Sequence, residues 1–312
     1  MSHLHGYLAF PGFLDELKEE LKFGGIKPKK MEIHGNLILV DGQKKKPVWA
    51  MNIWGSVERL KIESVADAIR KLKAMGLRWS HMPYLHHRRV ELILKGLNVA
   101  ASKAFHFPED QLPTKALGSF VMIAPDEILA SSHCSQTIPH GEMTFKEDKS
   151  VPPTRAYLKL WEIFTRLGVK PKSGDDCIDL GSCPGGWTWV LAKLGAQVVS
   201  IDRSEIDSKV LAMKGVRFIQ GNAFSLDPTQ FEKMDWVFSD VICEPQKLLE
   251  LVQKWLAQFP NANFICSVKF KGDTDFRVMN AFIRIPGSSL VHLNCNKHEV
   301  TWVRLAAQAI EP

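Results

Sequence analysis

The 312-residue chain contains no Cys-x-x-Cys pair; its six cysteines (134, 177, 183, 243, 266 and 295) are scattered, mostly within apolar runs. That spacing excludes a disulfide-stapled miniature and a zinc-ribbon site, so reduced thiols and no metal are expected. Long hydrophobic runs are missing too. Stretches such as Phe264–Val268 fall far short of the ~20 residues a membrane-spanning helix needs, so no membrane segment is expected. Met1–Phe13 has no basic segment leading into an apolar one, so no secretory signal is expected and the expected location is the cytoplasm. Internal repeats and low-complexity tracts are absent, which excludes a solenoid or a collagen-like chain. Neither sign of charge dominates: 40 Lys and Arg stand against 34 Asp and Glu, a formal net charge of +6. Such a balance permits a polyanionic partner without demanding one.

What is present is ordinary globular composition, 45% hydrophobic and 24% charged, at a length suited to about two domains. Residues 1–104 alternate short strands and helices. Phe13, Leu17 and Leu21 recur at helical spacing before Gly24-Gly25. Met31–Val40 reads as two strands about Gly35-Asn36, and Val48–Trp54 as another. Ser64 followed by Asp67 predicts a capped helix that Gly76 closes. The region is an expected α+β domain of roughly ferredoxin-like size. Residues 105–150, rich in Pro, His and Ser, read as a connector with short strand-like pieces at Ser119–Ile123 and Ile128–Ala130. Thr154 is the expected N-cap of a helix over Arg155–Leu167.

From Asp176 the pattern becomes a regular alternation of apolar strand and amphipathic helix. Strands are expected at Cys177–Leu180, Gln197–Ile201, Val216–Ile219, Trp236–Ser239, Asn263–Val268, Leu290–Asn294 and Val300–Arg304, with helices between the first five. This predicts an α/β, Rossmann-like, doubly wound and mostly parallel seven-stranded sheet over residues 151–312. Only Cys295–Glu299 separates the last two strands, so they form a hairpin and the last strand runs antiparallel.

The most specific segment is Cys177–Trp187, Cys-Ile-Asp-Leu-Gly-Ser-Cys-Pro-Gly-Gly-Trp. In an open parallel sheet, ligands bind where the loop after the first strand meets a helix. Gly181, Gly185 and Gly186 let backbone approach a ligand. Asp202, 21 residues after Gly181, stands where a carboxylate grips a ribose diol. A dinucleotide loop wants G-x-G-x-x-G; here Ser182 and Cys183 follow Gly181, and Pro184 has no N–H for a pyrophosphate. S-adenosyl-L-methionine therefore fits better than NAD. Its expected contacts are Asp179, Gly181, Ser182, Pro184, Gly185, Gly186, Trp187, Asp202, Asn222 and Asp240, with Trp187 half in the core and half in the pocket wall.

These residues, preceded by Thr-Arg-Ala-Tyr-Leu-Lys-Leu at 154–160, resemble the FtsJ-type (heat-shock) RNA ribose 2′-O-methyltransferases. Trp187-Thr188-Trp189 and Ser-Asp-Val-Ile-Cys-Glu-Pro at 239–245 are most similar to the 23S ribosomal RNA methyltransferase M branch. The resemblance implies a Lys–Asp–Lys–Glu tetrad, which falls by motif on Lys159, Asp240, Lys269 and Glu299. It also implies a ribosomal RNA acceptor, and a ferredoxin-like or THUMP-like character for residues 1–104 as a domain that binds RNA. Position supports three of the four independently: Asp240 and Lys269 follow the carboxyl ends of apolar strands, and Glu299 starts an antiparallel strand on the same rim. In this reading Lys269 is the base, Asp240 orients it, and Lys159 and Glu299 place the ribose. Asn222 stands where such enzymes usually carry Asp toward the adenine, so a charge-assisted bond is lost.

Two rival readings remain open at this stage: a catalytically inactive module that binds the methyl donor and RNA, and a methyltransferase with a non-RNA acceptor. Lys27, Lys29, Lys30 and Lys44–Lys46 read equally as a phosphate-binding stripe and as solvated hairpin lysines; His86-His87-Arg88-Arg89 is the better RNA candidate, since arginine pairs bidentately with phosphate and stacks on bases. His133, Cys134 and His140 lack the spacing of a usual metal site. Composition is silent on oligomeric state.

Overall fold

A computed structural model describes residues 4–76, 78–97, 99, 102–148 and 150–306. They fall into two compact units, one drawn from 1–105 and 111–144, the other from 106–110 and 145–312.

The first unit has two sheets. Strands β1 (Leu4–Ala9), β2 (Met31–His34), β3 (Leu37–Asp41) and β4 (Ala50–Gly55) join a two-residue β9 (His133–Cys134) in the antiparallel order β2-β3-β1-β4-β9. Gly35, at φ 58°, makes the turn between β2 and β3 that its lack of a Cβ favours. The second sheet runs β5-β8-β7-β6, from Glu58–Lys61 (β5), Trp79–His81 (β6), Gly118–Ala124 (β7) and Glu127–Ser131 (β8). Residues read in sequence as strand-like pieces of a connector are thus β7 and β8 of this sheet. Helix α1 (Leu14–Phe23) buries Leu17 and Leu21, the residues its spacing selects. Helices α2 (Val65–Met75) and α3 (His87–Leu97) share an apolar cluster with the second sheet: Ala68, Leu72, Val90 and Ile93 with Phe120, Met122 and Ile128. The Ser64 hydroxyl caps α2 by accepting from the Asp67 N–H at 3.1 Å.

The second unit opens on α4 (Tyr157–Leu167), then alternates β10 (Asp176–Leu180), α5 (Gly186–Lys193), β11 (Gln197–Asp202), α6 (Ser208–Leu211), β12 (Val216–Gln220), β13 (Trp236–Ser239), α7 (Pro245–Gln258), β14 (Asn263–Lys269), α8 (Phe276–Ile283), β15 (Ser288–Val291) and β16 (Glu299–Arg304). The seven strands form one sheet in the order β12-β11-β10-β13-β14-β16-β15. β10 to β14 pair in parallel, and β16 lies antiparallel between β14 and β15. This is the Rossmann-like, mostly parallel α/β sheet with an antiparallel last strand that the alternation predicts.

Three details differ from expectation. Between β12 and β13 there is a single 3-10 turn, Pro228–Gln230, capped by the Asp227 carboxylate, in place of a helix. β15 starts two residues early, at Ser288, and stops at Val291, leaving Asn294 in the loop to β16. Thr154 accepts from the Ala156 N–H at 3.3 Å, but regular helix begins only at Tyr157.

Every residue of α4 from Tyr157 to Phe164 is buried, including the charged Lys159 and Glu162. Around them Tyr157 and Trp161 meet edge to face at 4.6 Å, and Trp161 stacks on Phe107 at 5.2 Å. Aromatic burial of this kind contributes strongly to a core and leaves α4 little freedom to shift. Among the described residues no helix is long and apolar enough to cross a membrane.

Candidate active site

The loop after β10 is built from backbone geometry. Gly181 has φ 81° and Gly185 φ 108°, both left-handed. A Cβ on Gly181 would also lie 2.7 Å from the Cβ of Val241, so the loop accepts only glycine there. The N–H groups of Gly181 and Ser182 both donate to the Ile201 carbonyl, at 2.8 and 3.0 Å.

Asp202 ends β11 and locks the same loop. Its Oδ2 accepts from the Cys183 N–H and its Oδ1 from the Ser204 N–H, each at 3.0 Å. A carboxylate oxygen accepts more than one hydrogen bond, so both oxygens keep capacity for a diol. Pro184 turns the chain so that its carbonyl accepts from the Asp207 N–H at 3.0 Å. A Cβ on Gly186 would meet the Thr154 hydroxyl at 2.8 Å, so that glycine serves close packing of α5 against the start of α4.

Beneath the loop runs a buried polar chain. The Thr188 hydroxyl donates to Asp179 Oδ2 at 2.7 Å and lies 3.1 Å from the Ser200 hydroxyl, which donates to Ser182 Oγ at 2.6 Å. Asp179 Oδ1 is buried without a hydrogen-bond partner. Burial pushes the Asp179 carboxyl up to about 7, and the charges of Asp240 and Asp202 push the same way, against the Thr188 hydroxyl.

Trp187 is a core residue rather than a pocket wall: it is 3% exposed, and its Nε1–H donates to the Ala156 carbonyl at 3.0 Å. Asn222 spends its amide oxygen locally, accepting from the Phe224 N–H at 3.2 Å. With Arg203, Ile242 and Lys247 it lines an open cavity of about 580 Å³ at the carboxyl ends of the strands.

Four charged residues meet on that rim. Lys159 Nζ lies 2.9 and 3.1 Å from the two Asp240 oxygens and 2.8 Å from Glu299 Oε1. Lys269 Nζ lies 2.9 Å from Asp240 Oδ1 and also donates to the Asp240 carbonyl. Burial opposes the charge on Lys159, but the Asp240 and Glu299 carboxylates outweigh it and hold the ammonium above the ordinary lysine range. Burial likewise opposes ionisation of Asp240, and the two lysines overcome it, keeping its carboxyl below the ordinary range. The side chain of Lys159 is 9% exposed against 21% for Lys269. Lys159 is thus the more enclosed of the two amines and Lys269 the more exposed.

The structure brings Lys159, Asp240, Lys269 and Glu299 together and sets Gly181, Ser182 and Asp202 along the neighbouring strand ends. Asp179 and Trp187 lie beneath the loop. Sequence reasoning missed Glu162 and Asn294. A local signal marks Glu162 without revealing its partner: it is a carboxylate inside the apolar stretch Leu158–Phe164, three residues after the only other charge there. Among the described residues, no cluster of three or more His, Cys, Asp or Glu is placed to hold a metal.

A glycine loop at the strand ends of such a sheet, with a carboxylate ending the next strand, is the arrangement of a Rossmann-like fold that binds a nucleoside. Residues 153–277, within the second unit, match the FtsJ-like methyltransferase family. The chain is similar to Ribosomal RNA large subunit methyltransferase M of Halorhodospira halophila, 35% identical over 109 residues, covering 34% of this chain and 32% of the relative. The protein of the same name from Shewanella frigidimarina is 26% identical over 166 residues, covering 48% and 46%. The chain thus spans from a third to about half of the length of these relatives. Among solved structures, TrmN from Thermus thermophilus aligns with a TM-score of 0.35 at 14% identity, covering 96% of this chain and 98% of that one.

Proposed function

We propose that the protein transfers a methyl group from S-adenosyl-L-methionine to a ribose 2′-hydroxyl of RNA, with large-subunit (23S-type) ribosomal RNA as the acceptor. The observation that carries this reading is the alternating set Lys269–Asp240–Lys159–Glu299 at the same strand ends as the Gly181 loop and Asp202. S-adenosylmethionine, when bound, supplies an activated methyl on a sulfonium, so the protein has chiefly to align the reactants and handle one proton.

The chain's residues fit the donor. Asp202 retains acceptor capacity for a ribose diol, and the Gly181–Gly186 loop brings backbone rather than side chains to the ligand. Pro184 presents no N–H to a pyrophosphate, which supports a nucleoside with an uncharged linkage over a dinucleotide.

Lys269 is assigned the role of base at Nζ, because it is the less enclosed of the two lysines. Asp240 holds Lys269 in place through both its carboxylate and its carbonyl. Lys159 balances Asp240 and Glu299, so the carboxylates keep a fixed geometry. Four groups in contact titrate as a set, and the proton belongs to the cluster as much as to one amine.

The two-sheet N-terminal unit is read as the part that positions RNA. Lys27, Lys29, Lys30 and Arg88 are exposed on it, and Arg88 lies in the first turn of α3. Arginine pairs with phosphate bidentately and stacks on bases. No partner other than RNA enters this reading. The test is Lys269→Ala assayed for donor binding and for methyl transfer to ribosomal RNA. Binding without transfer supports the reading, and full transfer refutes it.

A further inference from the structure

Glu162 lies three residues along α4 from Lys159 and is 1% exposed. Both oxygens of its carboxylate are engaged. Oε1 accepts from Arg166 Nε at 2.9 Å and from Asn294 Nδ2 at 2.8 Å, with Arg166 Nη2 also at 2.8 Å. Oε2 accepts from the Asn294 backbone N–H at 2.9 Å.

Asn294 belongs to the β15–β16 loop, five residues before Glu299. The rest of that loop is tied to itself. His292 Nε2 sits 3.1 Å from the Lys297 carbonyl. Asn296 Nδ2 donates to Thr301 Oγ1 at 3.2 Å and reaches the Glu299 carbonyl at 3.4 Å. The Lys297 N–H points to Glu299 Oε1 at 3.5 Å. A restraint applied at Asn294 is therefore carried to Glu299, whose Oε1 sits 2.8 Å from Lys159 Nζ.

Burying a carboxylate is costly, and an apolar side chain of similar volume usually packs as well or better. Arg166 alone does not explain the burial, since a helical pair four residues apart forms equally well on a surface. The Asn294 contacts join Glu162 to the loop that delivers Glu299. We propose that Glu162 is a positioning residue: it pins the β15–β16 loop to α4 and so sets the contact between Lys159 and Glu299. This inference rests on the methyl-transfer reading of the site.

The test compares Glu162→Gln, Glu299→Gln and the double variant in the full-length protein, using labelled S-adenosylmethionine and large-subunit ribosomal RNA. Glu162→Gln is expected to lower kcat about tenfold, because small misplacements of a reacting constellation are costly. The KM for the methyl donor stays within about twofold, since the Gly181 loop and Asp202 are untouched. In the Glu299→Gln background the same change brings no further loss, as expected when one residue acts only through the other. Unchanged kcat in Glu162→Gln, or a double variant whose loss is the product of the two single losses, overturns the proposal.

If Glu162→Gln does not fold, Asn294→Ala removes the side-chain half of the contact. It should lower kcat about threefold in the parent and not at all beside Glu299→Gln; equal effects in both backgrounds overturn the proposal. Hydrogen exchange at the Asn294 amide gives a readout independent of catalysis. It is slow in the parent and fast in Glu162→Gln if the anchor exists, and an unchanged rate overturns the anchor. A parent protein that transfers no methyl to RNA refutes the functional reading, while the amide still tests the anchor.

Discussion

Lys269 and Glu299 are cross-strand partners in the β14–β16 pair, yet each commits its charge to a third residue. Lys269 Nζ lies 2.9 Å from Asp240 Oδ1, and Glu299 Oε1 lies 2.8 Å from Lys159 Nζ. Lys159 also bonds Asp240, so the four form a chain of alternating sign with no net charge. Charges can be buried at acceptable cost when each has such a partner, and removing one member strands the others.

Lys159→Met should therefore destabilise the protein by about 3 kcal/mol, the usual scale for breaking a buried ion pair from one side. It leaves Asp240 and Glu299 enclosed without their shared cation. Urea unfolding measures this, and a loss below about 0.5 kcal/mol would mean that solvent already screens the cluster.

Lys269→Ala should be far gentler on stability and far harsher on chemistry. Losing a general base lowers the rate by about 10² to 10⁴. The dissociation constant for S-adenosylmethionine, read by calorimetry, should move less than about threefold. Retained transfer would pass the proton-accepting role to another group.

Asp202→Ala and Asn222→Ala should separate sharply. Asp202 holds the Cys183 and Ser204 amides as well as the proposed ribose contact, so its loss should weaken donor binding by at least about tenfold, the worth of one or more charge-assisted bonds. The Asn222 oxygen already serves the Phe224 N–H, so its removal should weaken binding by no more than about threefold. Equal effects would contradict the assignment of the ribose to Asp202.

Asp179 supplies a pH signature. Its carboxyl rises from an ordinary 3.8 to about 7 on folding, chiefly through burial. A raised carboxyl holds its proton more tightly in the folded state than in the unfolded one. The stability it contributes is present in full below about pH 4 and is lost as the pH rises through about 7. Asp179→Asn removes this dependence, so its melting temperature relative to the parent should climb between pH 5 and pH 8.5. A difference that stays flat, or falls, would show that Asp179 is ionised in the folded protein throughout.

The parallel sheet, the glycine loop and the rim positions of Asp240, Lys269 and Glu299 were legible in the sequence because each follows from local alternation and strand polarity. Lys159 was legible only through family resemblance, since nothing local says that a helix preceding β10 packs against the strand ends. Glu162 stayed hidden for the same reason: its partner Asn294 lies 132 residues away. The strands β7 and β8 were short apolar pieces among Pro and His, and only pairing with β5 and β6 gives them their place. Trp187 was misread because its indole N–H finds the Ala156 carbonyl inside the core, a contact set by tertiary packing.

The proposed reaction stands or falls on the acceptor atom, the ribose 2′-oxygen. Large-subunit ribosomal RNA methylated by the purified protein with tritiated S-adenosylmethionine should be hydrolysed in alkali and its products sized. A ribose 2′-O-methyl group blocks cleavage of the adjacent phosphodiester, so label is expected in alkali-resistant dinucleotides. Label recovered in mononucleotides, or absent from RNA, would contradict it.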